Sequence, residues 1–248
     1  MRRRFNASAM SEQQAVTEMF DGISSHYDFL NHLLSFGIDR RWRRKTSHLV
    51  ARRHPSTILD VATGTADLAI RMAKDNPSAR ITGIDLSEKM LEQGRSKLAH
   101  KKLDQRITLE TGDASRLPFP DESFDAVTVA FGVRNFDNRE AGLREMVRVC
   151  HEDGLIAILE FSHPSSSWIA TPYRWYSKTI LPWLGRSVSK HPTAYTYLPS
   201  SVAAFPESGA FIEMLHNIGL SHVNAQRLSA GIATLYYGTV TKNRSEIQ

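Results

Sequence analysis

The chain has 248 residues, of which 41% are hydrophobic and 23% charged, and this balance excludes the disordered and fibrous classes. No segment repeats at a fixed period, and no apolar run reaches the ~18 residues of a membrane-spanning helix, so we expect a cytoplasmic globular protein. The net charge of +5 favours an anionic partner. The single cysteine, Cys150, excludes an internal disulfide, and no pair of residues has the spacing of metal ligands.

Helices are predicted first in the chain, and strands and helices alternate after them. Residues 11 to about 54 carry apolar side chains at helical spacings, which indicates an N-terminal helical cap over residues 1–54. The predicted strands are Thr57–Val61, Arg80–Ile84, Ile107–Thr111, Phe124–Ala130 and Leu155–Phe161, and the predicted helices are Asp67–Lys74, Glu88–His100 and Asn138–Val149. This alternation predicts an α/β fold with a doubly wound, mostly parallel sheet in a domain over residues 55–248.

Local signals refine this pattern. Ser87 is a predicted N-cap, and Glu152-Asp153-Gly154 predicts a turn before the fifth strand. Between residues 162 and 206, six prolines and a cluster of tryptophans and tyrosines break the rhythm and predict an insertion. The remaining predicted elements are a helix over Ser208–Asn217 and strands over about 219–227 and 231–240. Their short link makes these last two strands an antiparallel pair at the edge of a seven-stranded sheet.

The turn after the first predicted strand has the composition of a ligand-binding turn. Residues 58–67 read Ile-Leu-Asp-Val-Ala-Thr-Gly-Thr-Ala-Asp, which places Gly64 and small side chains between a strand and a helix. In open α/β sheets the ligand lies outside the carboxyl ends of the strands, where the strand order reverses. Neither G-x-G-x-x-G nor G-x-x-x-x-G-K-[ST] occurs, so a dinucleotide and a nucleoside triphosphate are both disfavoured.

Acidic residues follow the next two predicted strands. Asp85 ends the second strand, where its carboxylate can accept both hydroxyl hydrogens of a ribose. Gly112-Asp113-Ala114 follows the third strand, where an adenine edge would lie. This order, without a diphosphate cradle, suits S-adenosylmethionine, because that molecule has a sulfonium and an amino acid where a dinucleotide has phosphates.

The pattern resembles the class I S-adenosylmethionine-dependent methyltransferases, and nearly the full chain is similar to the ubiquinone/menaquinone biosynthesis C-methyltransferase family. The matching motifs are Met19-Phe20-Asp21, Tyr27-Asp28-Phe29-Leu30-Asn31, Asp39-Arg40-Arg41-Trp42-Arg43, Phe131-Gly132-Val133-Arg134-Asn135, Glu160-Phe161-Ser162, and Tyr195, Tyr197 and Leu198 with Ser201, Phe205 and Pro206. The F-G-x-R-N element is the most diagnostic. Two positions depart from the family: Ala66 replaces a usual glycine, and Ala130 replaces a serine of many ubiquinone-pathway members.

The resemblance also implies a set of cofactor-binding positions. The family's cofactor residues map onto Thr65, Asp85, Asp113 and Ala114, in agreement with the acidic residues singled out above. With the neighbouring residues of the same turns, the candidate cofactor-binding residues are Asp60, Thr63, Gly64, Thr65, Asp85, Leu86, Asp113, Ala114 and Ala130.

The reaction implied by the resemblance is C-methylation of a polyprenylated quinol, giving menaquinol from demethylmenaquinol or methylating the corresponding benzoquinol. We hypothesise that Arg134 and Asn135 hold the quinol oxygens, with Arg134 favouring the phenolate, and that Tyr27 closes the site over the ring. Since an arginine side chain keeps its proton in proteins, a water or a neighbouring group would accept the proton, with His163 as a further candidate. Ala130 and the first turn favour demethylmenaquinol.

Other interpretations stay open. Arg134 could pair with an acid of a helix, Tyr27 could pack in the cap, and His163 could be solvated. A nucleic-acid methyltransferase would use the basic run from Arg40 to Arg53, but no Asn-Pro-Pro-Tyr or Asp-Pro-Pro-Tyr follows the fourth strand, so no nucleic-acid partner is expected. A cofactor-binding protein without turnover is a third interpretation.

The predicted insertion also suggests a membrane contact. Between residues 168 and 190, aromatic and basic side chains interleave without an acidic one, which is typical of a segment resting on an anionic bilayer. A lid helix packed on the sheet fits this segment equally well. The sequence leaves homo-oligomerisation open.

Overall fold

The computed structural model describes residues 18, 21–22, 35, 37–162 and 200–241. The helices in this part are α1 (Asp39–Ala51), α2 (Asp67–Asp75), α3 (Glu88–Lys101), α4 (Arg139–Val149) and α5 (Ser208–Asn217). The strands are β1 (Thr57–Val61), β2 (Arg80–Asp85), β3 (Ile107–Thr111), β4 (Phe124–Ala130), β5 (Cys150–Phe161), β6 (Leu220–Leu228) and β7 (Ala233–Val240). Tyr27, His163 and most of the predicted cap and insertion lie outside the described residues.

The strands form one seven-stranded sheet in the order β3-β2-β1-β4-β5-β7-β6. Strands β1 to β5 are parallel, and β7 runs antiparallel to both β5 and β6. The strand order reverses between β1 and β4, so the loops after these two strands diverge and leave a crevice at the carboxyl edge of the sheet. The predicted mostly parallel, doubly wound sheet with an antiparallel C-terminal pair is confirmed.

Two apolar cores sandwich the sheet. Ile58 of β1 packs with buried side chains of α1, α2 and α3 on one face, whereas Leu59 and Val61 pack with α4 and α5 on the other. Because both faces are buried, the central strands read as nearly continuous apolar runs in the sequence. Trp42 brings α1 into the first of these cores, with only 3% of its surface exposed.

The fifth strand is longer than predicted. Phe124 and Ala126 are two residues apart on β4, whereas their partners Cys150 and Leu155 are five residues apart on β5. The extra residues form an irregularity inside the strand, where Asp153 has a φ of 61°. The prediction that 152–154 form a turn preceding the strand was therefore wrong, because the chain continues its pairing on both sides of the kink.

The predicted helix starts agree with the capping geometry. The Ser87 hydroxyl accepts a hydrogen bond from the Met90 amide at 3.2 Å, which confirms Ser87 as the N-cap of α3. The Asn138 side chain accepts from the Ala141 amide at 3.0 Å, so Asn138 caps α4 and the helix itself begins one residue later.

No helix in the described ranges has the length and apolar character needed to cross a bilayer. Within the same ranges, histidine, cysteine, aspartate and glutamate side chains form no group able to hold a metal ion.

Candidate active site

The turn between β1 and α2 follows an unusual backbone path. Ala62, Gly64 and Ala66 have φ angles of 50°, 57° and 65°, all in the left-handed region. This region is costly for alanine and free for glycine, so two of the three positions hold a strained backbone. The Thr63 amide donates to the Ile84 carbonyl at 3.0 Å, which ties the turn to the end of β2.

Asp60 anchors this turn from below. Its carboxylate, 1% exposed, accepts hydrogen bonds from the hydroxyls of Thr63 and Thr128, both at 2.7 Å. Burial raises the pKa of Asp60 to about 6, against the lowering effect of the two hydroxyl hydrogen bonds. Asp60 thus joins the first turn to β4 and lies beneath the crevice.

Thr65, at the end of the turn, is held from the side by α3. The Lys97 ammonium group donates to the Thr65 hydroxyl at 2.9 Å and to an Asp67 carboxylate oxygen at 2.6 Å. Since Asp67 is the first residue of α2, Lys97 fixes the passage from turn to helix. Thr65 itself is 2% exposed.

Asp85, the last residue of β2, connects the first and second turns. One carboxylate oxygen accepts from the Gly64 amide at 2.8 Å, and the other accepts from the Ser87 amide at 2.9 Å. Burial raises the pKa of Asp85 above its ordinary value, although the backbone hydrogen bonds act in the opposite direction. The Ser87 hydroxyl also donates to Asp21, which brings the N-terminal part of the chain to this edge of the sheet.

A cavity opens above these turns at the reversal of the strand order. Seven of the predicted site residues line it: Gly64, Asp85, Leu86, Asp113, Ala114, Ala130 and Asn135. Other lining side chains are those of Met90, Phe131, Phe136 and Asp137. Among the described lining residues there are three aspartates and no lysine, arginine or histidine. Such a wall suits a ligand with positive charge and disfavours a diphosphate.

The third turn reaches the cavity through a close approach of two strands. The Gly112 amide donates to the Asp85 carbonyl at 3.0 Å, and a Cβ at position 112 would lie 2.4 Å from the Ile84 Cδ1 atom. Asp113 then accepts from the Ser115 amide at 2.8 Å, which fixes its carboxylate at the rim. A side chain at position 112 would therefore displace the Ile84 side chain from its place between the third turn and β2.

The loop after β4 closes the cavity on the opposite side. Phe131 has a φ of 60° and lines the cavity, and a Cβ on Gly132 would lie 2.6 Å from the Ala62 Cβ. The first turn and this loop therefore touch, and only glycine fits between them. Aromatic rings of Trp42 and Phe161 pack on Phe131 with centroids at 6.1 and 4.5 Å.

Arg134 lies behind this loop, outside the cavity lining. Its guanidinium donates to Glu160 at 2.7 Å and to the Phe131 carbonyl, and its backbone amide donates to the other Glu160 oxygen at 3.2 Å. The side chains of Arg134 and Glu160 are 5% and 0% exposed. The acid that pairs with Arg134 thus lies on β5, and the pair holds the loop that carries Asn135.

The structure brings together most of the predicted site. Asp60 lies below the first turn, the buried Thr63 and Thr65 are part of that turn, and Arg134 lies behind the loop after β4, so these four support the cavity without lining it. Residues missed by the sequence reasoning are Ser87, Met90, Phe136 and Asp137, which line the cavity, and Lys97, which supports it. The position of Phe136 and Asp137 directly after the F-G-x-R-N element was the one signal that could have found them.

Comparison with known proteins relates this geometry to a family. A model of the ubiE/COQ5 methyltransferase family matches residues 8–240. The demethylmenaquinone methyltransferase of Porphyromonas gingivalis is 44% identical over 228 residues, covering 92% of this chain and 93% of that protein. The ubiquinone/menaquinone biosynthesis C-methyltransferase UbiE of Geobacter sulfurreducens is 42% identical over 226 residues, covering 91% of this chain and 88% of that protein.

A solved structure of an S-adenosylmethionine-dependent methyltransferase from Aquifex aeolicus shares the fold, with a TM-score of 0.53 at 16% identity over 75% of this chain and 82% of that one. The fold, the crevice at its strand reversal and the sequence agreement across nearly the whole chain point the same way. The chain belongs to the ubiE/COQ5 methyltransferase family.

Proposed function

We propose that this protein transfers a methyl group from S-adenosylmethionine to a ring carbon of a polyprenylated quinol, with demethylmenaquinol as the preferred substrate. Family membership supports the reaction class, and the name of the Porphyromonas relative supports the substrate. The observation that carries the proposal is the cavity at the strand reversal, whose described lining has three aspartates and no basic side chain.

The charge of the cavity lining supports this choice of cofactor. S-adenosylmethionine has a sulfonium and no phosphate, and the acidic lining complements that charge. Asp85 would hold the ribose hydroxyls, Asp113 and Ala114 would lie beside the adenine, and Gly64 leaves the backbone open to the methionine end. A Cβ at Gly132 would fill the gap between the two turns that flank the cavity.

When bound, S-adenosylmethionine would supply an electrophilic methyl group to the ring carbon and keep the electron pair of the broken carbon–sulfur bond on its sulfur, and the ring carbon would then lose its proton to water or to a neighbouring group. The chain itself aligns and encloses the reactants. Holding reactants in line in a site without bulk water can contribute about 7–11 kcal/mol to lowering a barrier. Phe131 and Phe136 supply apolar cavity walls that exclude water from the ring.

Two neighbouring residues would divide the work at the quinol. Asn135 lines the cavity, so we assign it the contact with a quinol oxygen. Arg134, bound to Glu160 and to the Phe131 carbonyl, would position the loop that carries Asn135. Direct contact of Arg134 with the quinol stays a prediction, as does the closing role of Tyr27, which lies outside the described residues.

A benzoquinol of the ubiquinone pathway is the alternative substrate. The Geobacter relative, at 42% identity, carries a name that includes both pathways. Against it, Ala130 lines the cavity where a serine would add a hydroxyl contact. The polyprenyl tail makes peripheral membrane contact part of the same proposal.

Methyl transfer from radiolabelled S-adenosylmethionine to short-chain naphthoquinols and benzoquinols, assayed in parallel with the full chain, tests this proposal. We expect label in the naphthoquinol product. Label found mainly in the benzoquinol would select the alternative substrate. Binding of S-adenosylhomocysteine without transfer to either quinol would overturn the enzymatic function, and loss of turnover in Asn135→Ala with unchanged cofactor affinity would support the assigned quinol contact.

A further inference from the structure

A basic groove lies between α1 and the end of β6, on the far side of the Trp42 ring from the cavity. Its basic residues are Arg41, Arg44, Lys45 and His48 of α1 and Arg227 of β6. Its remaining lining residues are Ile38, Trp42, Leu228 and Ser229. No aspartate or glutamate is among the described residues that line it.

The four basic residues of α1 follow helical spacing, so they form one stripe on the helix surface. Positions 41, 44, 45 and 48 are i, i+3, i+4 and i+7, which places them on one face along about 10 Å of helix. All four are exposed, as is Arg227 across the groove. Arg43, by contrast, is buried and paired with Asp39, so the basic run of the sequence splits into an interior residue and an outward stripe.

Most of these side chains have no acidic partner in the part of the chain that the structure describes. Arg41, Arg44, Lys45 and Arg227 form no ion pair with the described residues. His48 alone approaches an acid, with its Nε2 atom 3.7 Å from a carboxylate oxygen of Asp75. Four permanent positive charges therefore converge on one shallow depression with an apolar floor, and repel one another unless an anion lies between them.

The groove lies one aromatic layer away from the proposed active site. Trp42, in its floor, packs on Phe131, which lines the cavity. Leu228, at the edge of the groove, pairs with Ala233 of β7 in the strand register, and Ala233 pairs on its other side with Phe161 at the end of β5. The groove therefore opens at the carboxyl edge of the sheet, the same edge as the cavity.

We propose that this groove is the docking surface for the anionic headgroups of a phospholipid bilayer. Unpaired cations on one helix face match a negatively charged lipid surface, and the apolar floor of Ile38 and Leu228 suits the glycerol and upper acyl region. Trp42 is 3% exposed, so the groove offers no aromatic platform on which nucleic-acid bases could stack. Docking at this groove would hold the carboxyl edge of the sheet against the bilayer in which a polyprenyl tail dissolves. This link to the polyprenyl tail rests on the proposed function.

Vesicle co-sedimentation of the full chain tests the proposal, with vesicles of phosphatidylcholine alone and of phosphatidylcholine mixed with phosphatidylglycerol. We expect binding to the mixed vesicles only, and weaker binding as salt is added. Each cation near an anionic surface contributes roughly fivefold in affinity, so the triple variant Arg44→Gln, Lys45→Gln, Arg227→Gln should bind about 100-fold more weakly. The matched control Lys74→Gln, Lys89→Gln, Lys101→Gln removes equal charge from exposed positions elsewhere and should keep most of the affinity.

Two further measurements on the same proteins separate the outcomes. Calorimetry with S-adenosylhomocysteine and methyl transfer to a short-chain quinol in solution report on the proposed function, and both should be unchanged in the groove variant. Equal loss of vesicle binding in the two triple variants would overturn the groove and leave the function standing. Binding of a mixed-sequence RNA that exceeds vesicle binding and is lost in the groove variant would assign the surface to nucleic acid instead.

Discussion

The buried ion pair between Arg134 and Glu160 makes a sharp prediction about the loop over the cavity. Glu160 is fully buried near the end of β5 and accepts hydrogen bonds from the Arg134 guanidinium at 2.7 Å, the Arg134 amide at 3.2 Å and the Phe161 amide at 2.8 Å. Glu160→Gln removes the negative charge. It also replaces one carboxylate oxygen by an NH₂ group, which cannot accept the hydrogen bond that this oxygen accepts in the natural protein. The guanidinium is then left without a counter-charge at 5% exposure.

The expected cost follows from this burial. Removing one partner of a buried pair costs about 3–5 kcal/mol, because the remaining charge keeps its desolvation penalty. The chain offers a matched control in Glu140→Gln, since the pair of Glu140 with Arg144 has both side chains 56% exposed. An exposed pair contributes about 0–1 kcal/mol, so the two identical substitutions should differ by at least about 2 kcal/mol in the free energy of unfolding.

Equilibrium unfolding in urea at neutral pH measures both variants. The small effect of Glu140→Gln should vanish in about 1 M salt, whereas the effect of Glu160→Gln should persist because salt screens buried charges poorly. A Glu160→Gln protein that loses no more stability than Glu140→Gln would refute the inference that this pair anchors the loop after β4.

Three other changes test the supports of the cavity. Gly132→Ala places a Cβ 2.6 Å from that of Ala62, so we expect a loss of about 1–3 kcal/mol in urea unfolding and weaker S-adenosylhomocysteine binding by calorimetry. Gly209→Ala, in a helix with open space around it, should lower neither stability nor affinity. Burial raises the pKa of Asp60 to about 6 in the folded protein, so the natural protein should lose stability as the pH rises from about 4 to 7. Asp60→Asn cannot ionise, so its stability relative to the natural protein should rise over this range by up to about 3 kcal/mol. A relative loss of stability over the same range would contradict this prediction. Lys97→Met releases the first turn from α3 and should weaken S-adenosylhomocysteine binding more than it lowers stability, and unchanged affinity would limit this lysine to a structural role.

The central strands could be predicted closely because both sheet faces are buried there. Thr57–Val61 and Phe124–Ala130 match their predictions residue for residue, since apolar runs bounded by polar turns carry the signal. The edge strand Ile107–Thr111 also matches, and there the signal is the alternation of apolar with polar residues. The start of β5 was missed because Asp153 and Gly154 have the composition of a turn. In the structure that composition permits a kink while pairing continues on either side.

The contacts that hold the supporting residues Thr65 and Arg134 could not be predicted, because their partners are far away in the chain. Lys97 lies 32 positions from Thr65, and Glu160 lies 26 from Arg134. Nothing in the local spacing of a lysine on a helix indicates which turn it will reach. The turn residues themselves were accessible to prediction, since they directly follow strands whose carboxyl ends meet at one edge.

Burial separates the acids at this edge into two kinds that the sequence could not distinguish. Asp60, Asp85 and Glu160 each lie at or beside the end of a parallel strand and each accept hydrogen bonds from a loop at the edge. Asp60 and Glu160 are 1% and 0% exposed, and their carboxylate oxygens accept hydrogen bonds from protein groups, so they anchor the loops. Asp85 lines the cavity, and a carboxylate offers about four acceptor positions, so it can hold the Gly64 amide and still receive a ribose hydroxyl. Under the proposed function, the Asp85 carboxylate both shapes the first turn and binds the cofactor, so cofactor binding and the order of the turn should rise and fall together.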